Sequence, residues 1–350
     1  MNEIAAIPMR LVGPIKIVGI STQTENLTVP LATYETPLWP SVTRGARVSQ
    51  ETDGILTTLI DERMTRSILV EADSAAIILS TLKNLETRRE EIAQIIEQSS
   101  RFARLIDWHY QCVGNLLYFR LELSTGDAAG HNMVTKAADH VLQWMLKTYP
   151  TLRYVSISGN ICTDKKVSAI NGILGRGKNV IAEITIPRNA CERLLKTTPD
   201  ALINLHIKKN LLGSILSGGI RTANAHVANM LLGCYLATGQ DAANLVEGSQ
   251  AIVHTELHHD DLYFSVTLPH LIVGTVGNGK ELSFVQNNLK HLGCLESRAV
   301  GENARRLARI IAATVLCGEL SLLAAQTNPH ELMRSHLILE RRTKTKKDPL

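Results

Sequence analysis

The densest group of chemically capable side chains in the sequence lies between Ser158 and Lys166. Asp164 is followed there by two lysines, Lys165 and Lys166, on a segment that leaves a predicted strand. A lysine ammonium fixed near a carbonyl group stabilises the oxyanion that forms when the carbon is attacked, and it also binds carboxylates. A solvated basic loop is the more common origin of such a run. Spacing alone leaves both interpretations open, and the first one indicates anionic substrates.

A second segment of interest runs from Leu123 to Met133. Small residues, including Gly126 and Gly130, occupy a turn that enters a predicted helix. Such a turn lets a ligand approach the backbone and presents free N–H groups to a phosphate. The segment has no GxGxxG pattern, so an ordinary turn remains the more common explanation.

Three single residues are further candidates. Asp241 follows the end of a strongly apolar helix, where an acid opposes the helix dipole. Glu35 follows an apolar strand, and His336 lies near the C-terminus. Each of them, taken alone, is more often structural than catalytic.

The elements that must position these residues follow from hydrophobic periodicity. The chain between residues 74 and 158 reads as a long helix, a strand, a second helix and a short strand, which form a compact block. We expect strands at 116–123, 154–158 and 179–186, and a hairpin at 254–257 and 262–267. We expect helices at 74–104, 190–196, 223–239 and 302–325, and one more helix that follows the turn at 124–127 and ends near residue 147.

Composition restricts the class of protein. With 350 residues the chain exceeds the usual single-core size, so two domains are expected. A net charge of +4 is too small to indicate nucleic acid as a partner, and the basic tail 341–347 is typical of a solvated terminus. The longest apolar run, 310–325, is interrupted by Gly318 and Glu319, so no membrane helix is expected.

The cysteines and the N-terminus predict a cytoplasmic protein. Six cysteines lie far apart without a CxxC pair, which is unlike a disulfide framework or a zinc site. The N-terminus has no basic region followed by an apolar run, so no secretory signal is expected. The cluster His258-His259-Asp260-Asp261 sits in a predicted hairpin loop, where adjacent ligands rarely converge on one ion. We therefore expect no metal.

Taken together and in this order, the segments resemble 3-hydroxy-3-methylglutaryl-CoA (HMG-CoA) reductase, most closely its soluble class I form. The similarity runs from about Val12 to Arg341. Further matching segments lie at 99–104, 210–214, 274–277 and 301–305.

The resemblance implies a set of catalytic roles. Lys165 would stabilise the alkoxide formed when hydride reaches the thioester carbonyl. Glu35 would donate a proton to the mevaldehyde oxygen, with a pKa raised by a nearby Asp241 that also supports Lys165. His336 would protonate the departing CoA thiolate. The expected reaction is the NADPH-dependent reduction of HMG-CoA to mevalonate and CoA by way of mevaldyl-CoA and mevaldehyde.

The resemblance also implies binding residues for HMG-CoA and for the cofactor NADP(H). The residues expected around the substrate and CoA are Arg66, Ser158, Asp164, Lys166, Lys209, Asn229, Ser41 and Arg44. Those expected around the cofactor are Ser100, Arg101, Asp127, Asn132, Met133 and Gly277, with Arg101 a candidate for the 2′-phosphate.

The fold implied by the resemblance is α+β: a large domain built around a central helix, with an inserted ferredoxin-like small domain. The large domain would comprise residues 1–67 and 157–335, and the small NADP-binding domain 68–156. Residues 336–350 would form a C-terminal segment with the catalytic histidine and the basic tail. A homodimer or a dimer of dimers is expected, with the active site at the subunit interface.

Some positions depart from the family pattern. Pro37 and Pro40 stiffen the segment after Glu35, Arg221 adds bulk and charge close to the expected site, and Glu340 follows His336. These changes leave open an alternative, a catalytically impaired relative that binds CoA or a nucleotide.

Overall fold

The computed structural model describes residues 5–334 and 337–338. Its strands are β1 (Met9–Val18), β2 (Glu25–Ala32), β3 (Ile55–Glu71), β4 (Arg104–Val113), β5 (Leu116–Ser124), β6 (Arg153–Ser156), β7 (Gly177–Ile186), β8 (Ile252–His258) and β9 (Asp261–Leu271). Its α-helices are α1 (Leu38–Gln50), α2 (Ala75–Thr87), α3 (Arg89–Ser99), α4 (His131–Thr148), α5 (Ala169–Leu174), α6 (Arg188–Ala190), α7 (Pro199–Leu205), α8 (Ser214–Leu216), α9 (Val227–Ala237), α10 (Leu245–Gly248), α11 (Ser283–His291) and α12 (Glu302–Gln326). Two π-helical segments, Cys191–Leu195 and His206–Gly213, and a 3-10 turn, Ala242–Asn244, complete the chain.

The larger hydrophobic core lies between one mixed sheet and its helices. Strands β2, β1, β3, β7, β9 and β8 are neighbours in that order. Helix α12 is buried along most of its length and packs against α1, α9 and β7. Helices α1 and α12 come very close at Gly45 of α1, where a Cβ would lie 2.1 Å from the carbonyl oxygen of Cys317 in α12. Only glycine permits this approach. The burial of α12 and its contacts with helices and strands on several sides make it the central helix of the fold.

The second core belongs to a smaller antiparallel sheet with the strand order β4-β5-β3-β6. Helices α2, α3 and α4 pack against it, and its apolar side chains form a cluster of their own. The order strand, helices, two strands, helix, strand is the split βαβ arrangement of ferredoxin-like domains. The predicted α+β fold class, with its central helix and small ferredoxin-like unit, is therefore confirmed.

Strand β3 is 17 residues long and belongs to both sheets. Residues 56–63 pair with β7, whereas residues 64–71 pair with β5. The predicted domain boundary between residues 67 and 68 thus falls inside a continuous strand. The two cores are joined by this one continuous strand, and the division into domains remains a prediction.

Several predicted elements need correction. The single helix expected at 74–104 is wrong, because the chain breaks at Arg88 into α2 and α3. The helix expected at 223–239 is shorter, since α9 spans Val227–Ala237. The helix expected at 190–196 is largely π-helical. The strand at 116–123 and the hairpin after Ile252 are confirmed.

One helix among the described residues, α12, is long and apolar enough to cross a membrane by composition. About 89% of its apolar window is buried inside the fold. That burial is typical of the core helix of a globular domain.

Candidate active site

Two separate cavities contain most of the predicted site residues, and no described residue lines both. The first has a volume of about 540 Å³, and we call it the lysine cleft; it is lined by Arg66, Ala128, Ala129, Gly130, His131, Asn132, Met133, Asp164, Lys165, Gln240, Asp241, Val276, Gly277, Asn278 and Lys280. The second has a volume of about 380 Å³, and we call it the glutamate pocket; it is lined by Glu35, Pro37, Leu38, Pro40, Ser41, Arg44, His226, Asn229, Ser321, Leu322, Ala325, Gln326 and Leu332.

Lys165 and Asp241 meet in the lysine cleft, with Lys165 Nζ 2.8 Å from Asp241 Oδ2. The other carboxylate oxygen of Asp241 accepts the backbone N–H of Ala243 at 3.0 Å, which fixes the carboxylate. The hydrogen bond to Asp241 raises the pKa of Lys165. Burial alone would raise the pKa of Asp241, but the hydrogen bonds from Lys165 and Ala243 lower it overall. The pair therefore stays charged from acidic to alkaline pH.

Asp164 lies beside this pair and is surrounded by basic groups. Its Oδ1 accepts a hydrogen bond from Nη2 of the buried Arg176 at 2.5 Å, and its Oδ2 is 4.0 Å from Nη2 of Arg66. Arg66 also donates from Nη1 to Ser158 Oγ at 3.4 Å. Two residues predicted to bind substrate, Arg66 and Asp164, thus line the cleft together, and Ser158 contacts Arg66 from behind the lining. Arg66 is placed to bind an anion there, since Arg176 already neutralises Asp164.

Lys166, also predicted to bind substrate, is exposed and does not line the cleft. Its Nζ donates to the backbone carbonyl of Asp164 at 3.0 Å. The two adjacent lysines thus differ in placement: Lys165 points into the cleft and Lys166 lies on the outer surface.

His131 is a cleft residue to which sequence reasoning gave no role. It is the first residue of α4, and its Nε2 lies 3.7 Å from Asp164 Oδ1 without a hydrogen-bond partner. Burial lowers the pKa of His131, an effect that nearby Asp164 opposes. The imidazole is therefore mainly neutral at physiological pH.

The N-terminus of the 18-residue helix α4 opens into the lysine cleft, because the residues of its first turn line it. Free backbone N–H groups and the helix dipole make such an end a binding site for phosphate groups. Asn132 and Met133 are in this turn, and Gly277 lines the same cleft, next to Val276, which pairs with Ala128. Gly277 has a φ of +103°, a conformation that favours glycine. Three of the six predicted cofactor residues therefore lie together.

The other three predicted cofactor residues do not line the cleft. Ser100 and Arg101 follow the end of α3, and the exposed Arg101 places its guanidinium 4.7 Å from the ring centre of Phe102. Asp127 accepts the backbone N–H groups of Gly301 and Ala304 at 3.0 and 2.9 Å. Its carboxylate therefore caps the N-terminus of α12 and links that helix to the small domain.

In the glutamate pocket, Glu35 is part of a hydrogen-bonded chain. Its Oε2 accepts from Nδ2 of Asn229 at 2.9 Å, and that amide lies 3.4 Å from Nδ1 of His226. His226 Nε2 lies 3.0 Å from the carbonyl oxygen of Gly318, which can only accept. The proton of the neutral ring therefore sits on Nε2, and Nδ1 accepts from Asn229.

Helix α1 carries the remaining predicted residues of the glutamate pocket. Ser41 donates to Ser321 Oγ at 3.1 Å, and Arg44 forms an ion pair with Glu331 at 2.7 Å. The guanidinium of Arg44 lies in the lining of the pocket, where Glu331 balances its charge and Ser321 accepts from its Nε at 3.1 Å.

Lys209 lies in neither cavity. It is in the π-helical segment His206–Gly213, and its Nζ donates to Asn210 Oδ1 at 3.1 Å. Burial lowers the pKa of Lys209, and the carboxylate of Glu319 opposes that shift.

The structure thus groups the predicted catalytic residues in two places. Lys165 and Asp241 are in contact, whereas Glu35 lies in the other cavity with Asn229. Within a single chain Asp241 does not lie beside Glu35, because the two carboxylates line different cavities. Their proximity at a subunit interface stays a prediction. His336, the fourth predicted catalytic residue, lies outside the described residues, as do Glu340 and the basic tail.

Among the described residues that depart from the family pattern, Arg221, Pro37 and Pro40 leave both cavities open. Arg221 lines neither of them, since its Nη2 donates to the carbonyl oxygen of Gly172 at 3.1 Å. Within one chain it therefore adds no bulk or charge to the lining of either cavity. Pro37 immediately precedes α1 and Pro40 lies in its first turn, where proline is readily accommodated.

Sequence reasoning missed the buried charges that support the site. Glu319 of α12 accepts the backbone N–H groups of Ala225 and His226 at 2.8 and 2.6 Å and so caps α9. Its only sequence signal is an acid inside an apolar run. Within the described residues, no group of three His, Cys, Asp or Glu side chains could hold a metal ion.

The fold and the two cavities are those of an α+β enzyme that acts on anionic substrates. The family model described as hydroxymethylglutaryl-coenzyme A reductase matches residues 4–341. The chain therefore belongs to the hydroxymethylglutaryl-coenzyme A reductase family, and the predicted family is confirmed.

Individual relatives agree with this assignment. The 3-hydroxy-3-methylglutaryl-coenzyme A reductase of Pyrococcus horikoshii is 41% identical over 344 residues, which cover 97% of this chain and 83% of the relative. Reductase 1 of Oryza sativa subsp. japonica is 40% identical over 97% of this chain, which spans 64% of that relative. A class II reductase from Streptococcus pneumoniae, solved bound to NADPH, has a TM-score of 0.75 at 17% identity and covers 93% of this chain and 86% of its own.

Proposed function

We propose that the protein catalyses the NADPH-dependent reduction of HMG-CoA to mevalonate and CoA. The observation that carries the proposal is the contact between Lys165 and Asp241 in a cleft that also receives the N-terminus of α4. That arrangement combines a fixed ammonium for a developing oxyanion with a binding site for phosphate groups. The family assignment supplies the substrate.

The residues of the lysine cleft fit a dinucleotide phosphate. The first turn of α4 would bind the pyrophosphate, with Asn132, Met133 and Gly277 around it. Arg101 is exposed and would bind the 2′-phosphate, which favours NADPH over NADH. When bound, NADPH supplies the hydride for each of the two reduction steps.

The chain's own residues would then manage charge and protons on the substrate. Arg66 and Ser158, with Asp164, would bind the carboxylate and hydroxyl of the HMG group. Lys165 would stabilise the oxyanion at the thioester carbonyl and later at the aldehyde, while Asp241 keeps its ammonium in place. Glu35 would donate a proton to the mevaldehyde oxygen, and His336 would protonate the CoA thiolate.

A homodimer, alone or as a dimer of dimers, would complete the site. The lysine cleft holds the oxyanion-stabilising group, and the glutamate pocket holds the proton donor and Arg44 for CoA. We propose that the lysine cleft of one subunit faces the glutamate pocket of its partner. Exposed apolar side chains in the segment around Lys209 support such an interface; they are Ile207, Leu211, Leu212, Ile215 and Leu216.

Finer assignments are part of the same proposal. The chain would be class I-like, as its sequence segments indicate and as its 40% identity to a plant reductase supports. Residues 1–67 and 157–335 would form the large domain, 68–156 the NADP-binding domain and 336–350 the catalytic-histidine segment. A cytoplasmic location is supported by the six unpaired cysteines, five of them buried.

Incubation of the purified protein with HMG-CoA and NADPH tests the proposal. We expect loss of NADPH fluorescence together with formation of mevalonate and free CoA thiol, in a ratio of two NADPH per mevalonate. A parallel reaction with NADH measures cofactor preference. Binding of CoA or nucleotide without turnover of either cofactor would instead support the catalytically impaired relative.

Replacing Asp241 with asparagine should narrow the pH range of activity. Asparagine keeps the shape but removes the charge that raises the pKa of Lys165. An ammonium is charged only below its pKa, so the alkaline limb of the kcat profile should move to lower pH. Asp260→Asn, in the turn between β8 and β9, serves as a matched control whose profile should stay in place. Superimposable alkaline limbs for Asp241→Asn and wild type would contradict this role of Asp241.

A further inference from the structure

The first and last residues of one short segment, 241–247, both contact Lys165: one binds its side chain and the other its backbone. Asp241 binds the ammonium in the cleft at 2.8 Å. Six residues later, Glu247 Oε1 accepts the backbone N–H of Lys165 at 3.1 Å. Glu247 is fully buried and does not line the cleft, so it cannot touch the substrate. Its contact is with the backbone of the residue that carries the ammonium.

The loop that carries Lys165 has an unfavourable backbone. Asn160, Thr163 and Lys165 have φ values of 61°, 54° and 55°, in the left-handed region that side chains with a Cβ rarely occupy. Such conformations persist where surrounding contacts determine them, and they concentrate at functional sites. The backbone N–H of Lys165 is one of the groups through which its conformation is fixed.

Glu247 is itself held by buried partners. Asn244 Nδ2 donates to its Oε1 at 2.9 Å, and Arg176 Nε lies 3.5 Å from the same oxygen. Arg176 also donates to the Asp164 side chain at 2.5 Å. The buried pair of Arg176 and Glu247 therefore holds two consecutive residues of the loop, one by its side chain and the other by its backbone.

We propose that Glu247 is a positioning residue for Lys165. By accepting the backbone N–H, it fixes the left-handed conformation that directs the ammonium towards Asp241. This inference rests on the proposed function for the reaction it serves, but the conformation of Lys165 is measurable without that reaction. Loss of Glu247 should release the loop, separate Lys165 from Asp241 and leave the ammonium free in solvent.

Competitive acylation with acetic anhydride at a series of pH values tests the proposal directly. Only the neutral amine reacts, so the pH dependence of labelling at Lys165, read by mass spectrometry, follows its ionisation. Pairing with Asp241 protects Lys165 in the wild type. In Glu247→Ala the labelling curve of Lys165 should move to lower pH. In Glu247→Gln, which keeps an acceptor oxygen at the same place, the curve should move less.

Glu122→Gln is the matched control. Glu122 is an equally buried carboxylate that pairs with Arg63 and Arg120, and it does not contact the loop. Its replacement removes the carboxylate partner of the buried Arg120, so it reproduces the general loss of stability. It should leave the labelling curve of Lys165 unchanged.

Kinetics give a second readout. A small displacement of Lys165 should lower kcat by about 10–100-fold in Glu247→Ala, with KM for NADPH changed by less than about 3-fold. An unchanged labelling curve in folded Glu247→Ala and Glu247→Gln would overturn the proposal, as would an equal shift in Glu122→Gln. A wild-type protein that does not reduce HMG-CoA would refute the proposed function, and the labelling curves would still decide the role of Glu247.

Discussion

Replacing Lys165 with alanine is expected to lower kcat by about 10²–10³-fold, the loss typical when one preorganised donor to an oxyanion is removed. The ammonium is the group in the lysine cleft that a carboxylate fixes at 2.8 Å, with a raised pKa that keeps it charged. Its stabilisation acts on charge that is present mainly in the transition state. The effect should therefore fall on kcat, with a much smaller effect on KM for NADPH.

Steady-state kinetics with HMG-CoA and NADPH measure this loss. Lys83→Ala removes the same charge from the exposed face of α2 and should leave kcat within about 2-fold of the wild type, since surface charges far from a site have small effects. A Lys165→Ala protein that is folded and keeps most of its activity would exclude Lys165 as the oxyanion-stabilising group.

Glu35 should be as necessary as Lys165, although the two do not meet within one chain. Loss of a general acid typically lowers the rate by about 10²–10⁴-fold. Glu35→Ala should therefore also be nearly inactive. The loss of activity would have a different structural origin from that in Lys165→Ala, because Glu35 lies in the glutamate pocket beside Asn229 and His226. A partner subunit must bring this group to the lysine cleft for both residues to act on one substrate.

The sequence predicted the architecture well where periodicity is strong. The 25-residue helix α12 and the β8–β9 hairpin follow directly from apolar spacing and a polar turn. The break at Arg88 could not be predicted this way, because no glycine or proline marks it. There the chain divides one amphipathic pattern so that both α2 and α3 cover the small sheet.

The site residues also differ in how far the sequence could predict their contacts. Lys165 and Asp241 are 76 positions apart, and neither stands out alone. Their pairing was predictable only because several segments in order resembled one family. The contact from Glu247 to the backbone of Lys165 has no such signal, since every residue but proline carries the same N–H donor. The separation of Glu35 from Asp241 within one chain agrees with the resemblance, which implied a site assembled from two chains.

If each active site combines a lysine cleft and a glutamate pocket from different subunits, two inactive variants should restore one another. In a mixed dimer of Lys165→Ala and Glu35→Ala chains, one site contains both intact groups and the other contains neither. Co-refolding or co-expression of the two chains in equal amounts gives half mixed dimers.

The most direct test is the activity of that mixture. It should recover to about a quarter of the wild-type value per chain, because half of the dimers carry one working site of two. Each variant alone, treated in the same way, is the control and should stay nearly inactive. A mixture no more active than the separate variants, with mixed dimers demonstrated by differently tagged chains, would contradict the shared site.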